Sequence, residues 1–271
     1  MTMVLEFTKM NGAGNDFVLI DNRAQTIGLS REQIVRLCDR HRGIGADGVI
    51  LLVPPASKEA AWAWQFFNRD GSTGEMCGNG ARCFARFVQK LTGSEGGFSF
   101  ETEAGIITAA FAGGRVTVNL TGPKDLRLDQ TLSLSTGNQT IHSLNTGVPH
   151  AVLFVDDADQ AMVQQLGPEI RHHPHFGPKG TNVNFVQLLG TGRIRVRTFE
   201  RGVEGETLAC GTGVTASALI AARVHRFGPP VQVQVQGGDQ LQVNFQEHNA
   251  DFGEVKLTGP AEFVFDGEIT L

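Results

Sequence analysis

Two cysteines in this chain follow polar loops and open nearly identical Cys-Gly-X-Gly motifs. Cys77 lies within N-R-D-G-S-T-G-E-M-C-G-N-G-A-R-C, and Cys210 lies within E-R-G-V-E-G-E-T-L-A-C-G-T-G. In each case a run of small and apolar residues typical of a helix follows at once. A thiol at a helix start lies near unpaired backbone N–H groups and the positive end of the helix dipole, which lower its pKa. Both cysteines are therefore candidates for acid/base chemistry.

Two such helix starts directed at one point would suit inversion at the α-carbon of an amino acid. The helix-end N–H groups would hold the carboxylate, because anions bind at helix N-termini. One cysteine, as a thiolate, would take the α-proton, and the other, as a thiol, would return a proton to the opposite face. The same N–H groups would stabilise the negative charge that develops in between. No Schiff-base lysine motif or phosphate-binding loop stands out, so we expect a route without a cofactor.

The order of motifs in the first half of the chain recurs in the second half. Besides the two cysteine motifs, N-G-A-G-N-D corresponds to N-T-G-V-P-H, and G-A-D-G-V corresponds to G-T-N-V-N. The tetrapeptide Leu-Thr-Gly-Pro occurs twice. Several matches in one order, at nearly equal separations, indicate an internal duplication. We therefore predict two similar domains with a site in the cleft between them. The predicted bounds are 1–120, completed by a C-terminal strand at 262–271, and 121–261.

The predicted elements fit an α+β fold, in which a sheet wraps the apolar helix of the second domain. Residues 214–224 are apolar almost all round, which indicates a helix buried on every side by a sheet. Residues 98–120 alternate like a hairpin or meander, with a Gly113-Gly114 turn. Ser30 is a predicted N-cap for a helix whose apolar side carries the residues Ile34, Val35, Leu37 and Cys38.

Composition excludes several classes of protein. The chain has 271 residues, of which 41% are hydrophobic, and a formal net charge of -5. A negative charge without a dense basic run argues against nucleic acid as a partner. No stretch is long and apolar enough to span a membrane, and the start of the chain alternates like a strand, so we expect a cytoplasmic protein. The four cysteines are too few for a disulfide framework, and no zinc-ligand spacing is present, so we expect no metal.

Five motifs together resemble diaminopimelate epimerase. They are M-C-G-N-G-A-R-C, E-R-G followed by A-C-G-T-G, K-M-N-G-A-G-N-D-F, G-A-D-G and T-N-V-N-F, and they cover nearly the whole chain in order. The resemblance implies a pyridoxal-independent epimerase that interconverts LL- and meso-diaminopimelate, for lysine biosynthesis and for peptidoglycan precursors. It also implies an α+β fold of two similar domains, each a mixed, mostly antiparallel sheet or barrel around a central helix, and a homodimer.

The resemblance assigns roles to individual residues. Cys77 and Cys210 would be the acid/base pair, and His150 and Glu200 match positions that tune the thiols. Arg201 suits a clamp for the second carboxylate of the substrate. The residues implied to contact substrate are Asn15, Asn68, Gly78, Asn79, Asn182, Glu200, Arg201, Gly211 and Thr212.

The chain departs from the family pattern at three places. Val148 stands where many relatives have Asn before Pro-His, which removes one amide contact to substrate. Gly48 follows the aspartate of Gly-Ala-Asp, where some relatives have Gln. The loop from Glu200 to Cys210 is one residue longer than in many members. These differences affect how the protein would bind the distal end of the substrate. They do not involve the two cysteines.

Other residues have a simpler interpretation. Cys38 and Cys83 are predicted to be buried apolar side chains, since Cys83 is six residues past Cys77 and points to nearly the opposite side of the helix. His172, His173 and His175 are predicted to lie in a solvated loop. Three aspartates, Asp16, Asp47 and Asp70, are predicted to organise turns.

Three other functions fit parts of the pattern. A proline or hydroxyproline racemase also uses paired Cys-Gly-X-Gly helix starts, although Asn79 and the Glu200-Arg201-Gly202 run offer polar contacts that a small cyclic substrate does not need. Cys77 with His150 could be a thiol hydrolase dyad, which leaves the second cysteine unexplained. A non-catalytic ligand-binding or redox module, in which Cys77 and Cys210 form a reversible disulfide, is the third. Turnover separates the binding or redox module from the epimerase, a trapped acyl-enzyme would identify the hydrolase, and conversion of proline alone would identify the racemase.

Overall fold

The chain separates into two compact units. The computed structural model describes residues 3–74, 76–248 and 251–271. The first unit consists of Met1–Asn119 with Gly259–Leu271, and the second is Leu120–Thr258. The division predicted from the sequence places its boundaries at 120 and 262, a few residues away.

The elements of the two units occur in similar order. Those of the first unit before the chain leaves it are β1 (Val4–Gly12), β2 (Asn15–Asp21), α1 (Arg31–Cys38), β3 (Gly48–Val53), β4 (Trp62–Asn68), α2 (Gly78–Thr92), β5 (Phe98–Thr102), β6 (Gly105–Ala112) and β7 (Arg115–Asn119). Those of the second unit are β8 (Lys124–Leu134), β9 (Gly137–Asn145), β10 (Pro149–Phe154), α3 (Val163–Arg171), a 3₁₀ turn (Pro174–Phe176), β11 (Asn182–Gly190), β12 (Arg193–Glu200), β13 (Gly205–Thr207), α4 (Gly211–His225), β14 (Val231–Val235), β15 (Gln240–His248) and β16 (Asp251–Gly259). The final strand, β17 (Glu262–Thr270), belongs to the first unit.

The strands of the first unit follow the order β17-β1-β2-β3-β4-β5-β6-β7. The pairs β2–β3 and β4–β5 are parallel, and the others are antiparallel. Parallel neighbours need a crossover connection, and α2 supplies it between β4 and β5. Because α2 packs on β1 and β2 and also on β6 and β7, the sheet curves around this helix.

The second unit repeats this arrangement strand for strand. Its order is β8-β9-β10-β11-β12-β14-β15-β16, with parallel pairs again at the third and fifth positions, β10–β11 and β12–β14. Helix α4 is the crossover between β12 and β14, and it packs on six strands of the unit. Every residue from Val214 to Ala222 is buried. The predicted α+β fold class, with a duplicated sheet around a central helix, is therefore confirmed.

The capping of α1 follows its sequence. The Ser30 hydroxyl accepts from the backbone N–H of Gln33, and the Gln33 side chain accepts from the backbone N–H of Ser30, which forms a capping box. Ile34, Leu37 and Cys38 are buried as predicted. The prediction for Val35 is wrong, because this side chain is 43% exposed. A helix of eight residues against one sheet buries a narrower stripe than the sequence pattern suggested.

Helix α3 was not predicted, and the three nearby histidines are only partly in a loop. His172 is the C-cap residue of α3, directly after Arg171. His175 lies in the 3₁₀ turn, where it is exposed. The sequence does not predict a helix here because it contains Gly167 and Pro168, and both residue types ordinarily break helices. A Cβ at Gly167 would lie 2.6 Å from the Phe199 ring, so the glycine allows α3 to pack closely on β12. Close packing here outweighs helix propensity.

Within the described residues, no helix combines the length and apolar character that crossing a bilayer requires.

Candidate active site

Cys77 is the N-cap residue of α2. Its backbone is extended, with φ -142° and ψ 115°, and its Sγ accepts a hydrogen bond from the Gly80 N–H at 3.4 Å. The Cys77 carbonyl accepts from Ala81 N at 2.7 Å, which begins the helix. The sulfur therefore lies at the positive end of the helix, where a thiolate is stabilised by N–H groups and by the dipole. The side chain is half-buried, so small molecules can reach it.

Cys210 is the N-cap residue of α4, the equivalent helix of the second unit. Its backbone is again extended, with φ -122° and ψ 108°, and its carbonyl accepts from Val214 N at 2.8 Å. The sulfur lies 3.5 Å from the Thr212 hydroxyl, and the residue is 7% exposed. Both predicted acid/base cysteines thus occupy the same position on equivalent helices, and none of the four cysteines, all of them within the described residues, forms a disulfide.

Cys38 and Cys83 have the environment of core residues. Cys83 is fully buried and Cys38 is 6% exposed. Burial raises the pKa of each of these thiols to about 12. At neutral pH the reactive thiolate form is therefore negligible for both. The simpler interpretation of these two cysteines agrees with the structure.

We expect a small alkylating reagent to modify Cys77 in the folded protein and to leave Cys38 and Cys83 unmodified. The reason is that only thiolates react, and burial keeps the latter two protonated and inaccessible. Peptide mapping by mass spectrometry after iodoacetamide treatment measures each site, with a denatured sample as the control in which all the cysteines react. Modification of Cys83 at the rate of Cys77 in native protein would contradict this assignment.

Two predicted substrate contacts of the first unit are hydrogen-bonded to each other. Asn79, in the first turn of α2, donates from Nδ2 to the Asn15 Oδ1 at 2.6 Å. Asn15, at the start of β2, donates in turn to the Asp47 Oδ2 at 3.1 Å. Asn79 is buried, whereas Asn15 is half-buried. The structure thus brings Asn15 and Asn79 together beside the Cys77 end of α2.

Asn68 ends β4, the strand that leads into the Cys77 loop. It lies opposite Gly48 in the sheet, and its Nδ2 donates to the Ser72 Oγ at 3.1 Å. Asp70 accepts from the Ser72 N–H and hydroxyl, as predicted for a residue that organises a turn. A Cβ at Gly48 would lie 2.7 Å from both the Phe66 ring and the Phe67 carbonyl. This close approach explains why the chain carries glycine at this departure from the family pattern.

Three predicted site residues of the second unit lie at neighbouring strand ends. His150 of β10 pairs with Asn182 of β11, and β11 pairs with β12, which ends at Glu200. The Asn182 Oδ1 accepts from the Arg201 backbone N–H at 2.9 Å, and its Nδ2 donates to the Pro149 carbonyl at 3.1 Å. Asn182 therefore fixes the loop that carries Arg201.

Glu200 and the first turn of α4 are held by neighbouring loops. The Glu200 Oε2 accepts from the Thr207 hydroxyl at 2.9 Å, which joins the two ends of the loop before Cys210. The Thr212 carbonyl accepts from the Thr146 hydroxyl at 2.9 Å. Val148, two residues further on, is half-buried and carries an aliphatic side chain in place of an amide. Gly211 and Thr212, the predicted anion-binding pair, are thereby tied to the loop that precedes His150.

His150 is fully buried in a polar network that the sequence analysis did not identify. The Asn184 Nδ2 lies 3.1 Å from the His150 Nδ1, and the Asn184 Oδ1 accepts from the Thr198 hydroxyl at 3.0 Å. Since the amide nitrogen is the donor, Nδ1 accepts and the proton of the neutral ring is on Nε2. A Cβ at Gly213 would lie only 2.3 Å from the Asn184 Oδ1 and 3.3 Å from the His150 Cε1. The network therefore lies directly against the start of α4.

Burial, with a smaller contribution from the positive charge of Arg201, lowers the pKa of His150 to about 3. The imidazole is neutral at physiological pH. A group with so low a pKa is a poor general base, which argues against a Cys77–His150 hydrolase dyad. A neutral ring can still orient or donate to a nearby group through Nε2, for which no hydrogen-bond partner is present in the described part of the chain.

Two residues at the site were missed in the sequence analysis, Asn184 and Arg82. Asn184 is the second asparagine of T-N-V-N-F, and alternation along a buried strand is the signal that places it beneath Asn182 on the same face. Arg82 lies in α2 and is fully buried, although arginine is ordinarily an exposed residue. No sequence signal apart from its position in the cysteine motif points to that burial.

The sequence is similar to those of known proteins over almost its whole length. The diaminopimelate epimerase family model matches residues 7–124 and 142–264. The diaminopimelate epimerase of Aquifex aeolicus is 45% identical over 280 residues, which cover 98% of each chain. That of Acinetobacter baumannii strain AYE is 41% identical, over 99% of this chain and 98% of the relative. This chain belongs to the diaminopimelate epimerase family.

Solved structures with low sequence identity share the fold of this family member. A hydroxyproline epimerase from Agrobacterium vitis, solved with bound trans-4-hydroxy-L-proline, gives a TM-score of 0.75 at 16% identity, over 99% of this chain and 93% of that one. A phenazine biosynthesis protein of the PhzF family from Bacillus anthracis also gives 0.75, at 14% identity, over 99% of this chain and 100% of that one. At such identities the likeness concerns the fold alone.

Proposed function

We propose that this protein interconverts LL-2,6-diaminopimelate and meso-diaminopimelate, with Cys77 and Cys210 as the acid/base pair and without an organic cofactor or a metal. Membership of the family and the names of its relatives support the substrate. The observation that carries the mechanism is that each cysteine is the N-cap of an equivalent crossover helix. A pair of thiols on equivalent elements suits a reaction that is the same in both directions.

In the proposed mechanism one cysteine begins as a thiolate and the other as a thiol. The thiolate Sγ takes the α-proton, and the electron pair of the C–H bond is delocalised into the substrate carboxylate. The thiol of the second cysteine then gives its proton to the opposite face of the α-carbon. Backbone N–H groups in the first turns of α2 and α4 stabilise the negative charge on the carboxylate. The reverse reaction exchanges the two roles.

The remaining predicted residues bind the two amino-acid ends of the substrate. Arg201 is proposed to pair with the distal carboxylate, and its backbone is held by Asn182. Glu200 is proposed to accept from a substrate ammonium, as its half-buried carboxylate can do. The other proposed contacts are Asn15, Asn68, Gly78, Asn79, Gly211 and Thr212. His150 is proposed to tune a thiol as a neutral donor, in agreement with its low pKa.

The product serves lysine and peptidoglycan precursor biosynthesis in this proposal. Acid/base thiols must stay reduced to function, so a cytoplasmic location suits this chemistry. We also propose a homodimer. Three apolar residues of β17, Phe263, Val264 and Phe265, are between 42% and 56% exposed. A cluster of this kind on one strand favours association with a second copy.

A charge introduced in this cluster is expected to give a monomer. Val264→Asp places a carboxylate where the side chain is 56% exposed, so the fold of the monomer tolerates it while an apolar interface does not. Light scattering coupled to size-exclusion chromatography measures the mass. Met162→Asp, at a residue that is 46% exposed in the second unit, is the matched control and should remain dimeric. A dimeric Val264→Asp variant would place the interface elsewhere.

Removal of metals and carbonyl cofactors is expected to leave the activity unchanged. Dialysis against EDTA tests for a metal, and treatment with hydroxylamine tests for a carbonyl cofactor, each followed by the epimerase assay with reductant present. Within the described residues, no group of three or more His, Cys, Asp or Glu side chains is arranged to hold a metal ion. Loss of activity that added Zn²⁺ restores would overturn the proposal of a metal-free mechanism.

The function is tested by offering purified, reduced protein LL-diaminopimelate and, separately, L-proline. Chiral chromatography resolves the stereoisomers. We expect meso-diaminopimelate from the first substrate and no D-proline from the second. Conversion of proline alone would establish a proline racemase, and conversion of neither by folded, reduced protein would favour a binding or redox module.

A further inference from the structure

Arg82 extends its guanidinium beneath the first turn of α2. The residue has no exposed surface. Its Nη1 donates to the Gly78 carbonyl at 3.1 Å, its Nη2 to the Gly12 carbonyl at 3.3 Å, and its Nε to the Pro260 carbonyl at 3.1 Å. The side chain therefore ties the start of α2 to the end of β1 and to Pro260 in the short connection that leads into β17. These contacts all lie within the first unit.

A fourth contact of Arg82 reaches a predicted substrate residue. Its Nη2 donates to the Asn79 Oδ1 at 2.9 Å. A guanidinium has no acceptor atoms, so the oxygen of the Asn79 amide must face Arg82 and the nitrogen must face the other way. That nitrogen donates to the Asn15 Oδ1 at 2.6 Å. The Asn15 nitrogen must then point away from Asn79, toward Asp47.

The opposite end of this chain of hydrogen bonds imposes the same direction. The Asp47 Oδ2 accepts from the Asn15 Nδ2 and from the Asp16 backbone N–H, while the Asp47 Oδ1 accepts from Arg40 at 3.1 Å. A carboxylate that accepts from these groups requires a donor from Asn15. Arg82 and Asp47 therefore fix the same orientation of both amides from two sides. A reversed amide would set like atoms against each other at both of its contacts and leave buried donors and acceptors unsatisfied, which is destabilising.

We propose that Arg82 is a positioning residue that fixes the donor and acceptor directions of Asn15 and Asn79 for the substrate. The inference rests on the proposed function, in which these two asparagines contact diaminopimelate. An amide offers a donor on one side and an acceptor on the other. When the donor side and the acceptor side of each amide are fixed, the site can distinguish a carboxylate from an ammonium group of a substrate that carries both. Arg82 acts through the asparagines and does not itself touch the substrate.

Lysine cannot replace arginine in this arrangement. The acceptors named above surround a planar fork of N–H groups, whereas an ammonium, which also has no acceptor, donates from one point and cannot reach all of them. Arg82→Lys keeps the positive charge and removes the fork. The variant therefore tests the geometry of the hydrogen bonds separately from the charge.

The matched control is Arg86→Lys, one turn further along α2. The Arg86 guanidinium is half-buried and donates to the Gln89 side chain at 3.0 Å, which is on the same helix. We expect Arg82→Lys to lower kcat/KM for LL-diaminopimelate by about 10- to 100-fold, the effect of losing one hydrogen bond from a charged group. Arg86→Lys is expected to match the wild type. Equal kcat/KM values for Arg82→Lys and the wild type would overturn the proposal.

A second readout needs no turnover and therefore separates this inference from the proposed function. With ¹⁵N-labelled asparagine, NMR records the side-chain NH₂ signals of Asn15 and Asn79, assigned with Asn15→Ala and Asn79→Ala. We expect Arg82→Lys to shift the Asn15 signals and to speed their hydrogen exchange. Asn15 is linked to Arg82 through the side chain of Asn79, so such a shift would show that the change is transmitted along the hydrogen bonds. Unchanged Asn15 signals would refute the coupling even if activity falls. Inactive wild-type protein with the expected shifts would refute only the proposed function.

If Arg82→Lys does not fold, Arg82→Gln replaces it in both measurements. Glutamine carries no charge to bury, and its amide can face Asn79 with either atom, so the direction of the two amides is then constrained from the Asp47 side alone. The expected fall in kcat/KM and the expected shifts of the Asn15 signals are the same. A folded Arg82→Gln variant with wild-type activity and unchanged Asn15 signals would contradict the proposal.

Discussion

Cys77→Ala and Cys210→Ala are each expected to lower kcat for epimerisation by about 10³-fold or more, with little change in unfolding temperature. Each substitution removes one of the two groups that exchange protons with the α-carbon, and general acid/base groups contribute about 10²–10⁴-fold each. Both residues are helix N-caps, Cys77 half-buried and Cys210 7% exposed, and replacing cysteine by alanine removes only the sulfur atom from each side chain. The rate of LL- to meso-diaminopimelate conversion and the thermal midpoint measure the two effects.

The control for these variants is Cys38→Ala. Cys38 is buried in the core that α1 forms with the sheet of the first unit. Its loss should lower stability slightly and leave kcat unchanged, because a thiol with a pKa of about 12 does not exchange protons with substrate at neutral pH. Full activity in either Cys77→Ala or Cys210→Ala would refute a mechanism that needs both thiols. A combined variant should be no less active than the worse single variant, because the two groups act as a unit.

Gly213→Ala is expected to lower the free energy of unfolding by about 2–3 kcal/mol and kcat/KM by about tenfold or more. The new Cβ would lie 2.3 Å from the Asn184 Oδ1, which is fully buried and bonded to Thr198. Asn184 must move, and its hydrogen bonds to His150 and to the Ala151 carbonyl are then lost. Overpacking and unsatisfied buried polar groups both contribute to this cost. Urea unfolding and steady-state kinetics measure the two effects.

The equivalent glycine of the first unit provides a matched control. A Cβ at Gly80 would lie 3.2 Å from the Ile50 Cδ1, which is the end of a flexible side chain. Gly80→Ala should therefore cost less than about 1 kcal/mol, since one methyl group can shift by a few tenths of an ångström. The two motifs look alike in sequence, so equal effects at both positions would contradict the role assigned to Asn184.

The helix starts and the central helices could be predicted from the sequence because local patterns determine them. Cys-Gly-X-Gly followed by small residues gave both N-caps, and the apolar run 214–224 gave a helix buried on all sides. The repeated order of motifs gave the duplicated fold. Each of these features depends on neighbouring residues and on their spacing, which the sequence displays directly.

Features that depend on distant residues could not be predicted in the same way. Helix α3 contains Gly167 and Pro168, and only its packing against Phe199 explains the glycine. The burial of Arg82 depends on carbonyl groups contributed by Gly12 and Pro260, which are far from it along the chain. The roles of the site residues stay a proposal, since they follow from the family pattern and from the position of each residue within its own unit.

The most direct test of the two-thiol mechanism is the fate of the α-hydrogen in deuterated buffer. LL-diaminopimelate is incubated with reduced wild-type protein in D₂O, and NMR and mass spectrometry follow substrate and product at low conversion. Two opposed thiols predict meso product that carries deuterium at the inverted carbon, while the remaining LL substrate still carries hydrogen. In Cys77→Ala and Cys210→Ala this labelled product should be lost. Product that retains the original hydrogen, or substrate that exchanges as fast as product forms, would contradict the mechanism.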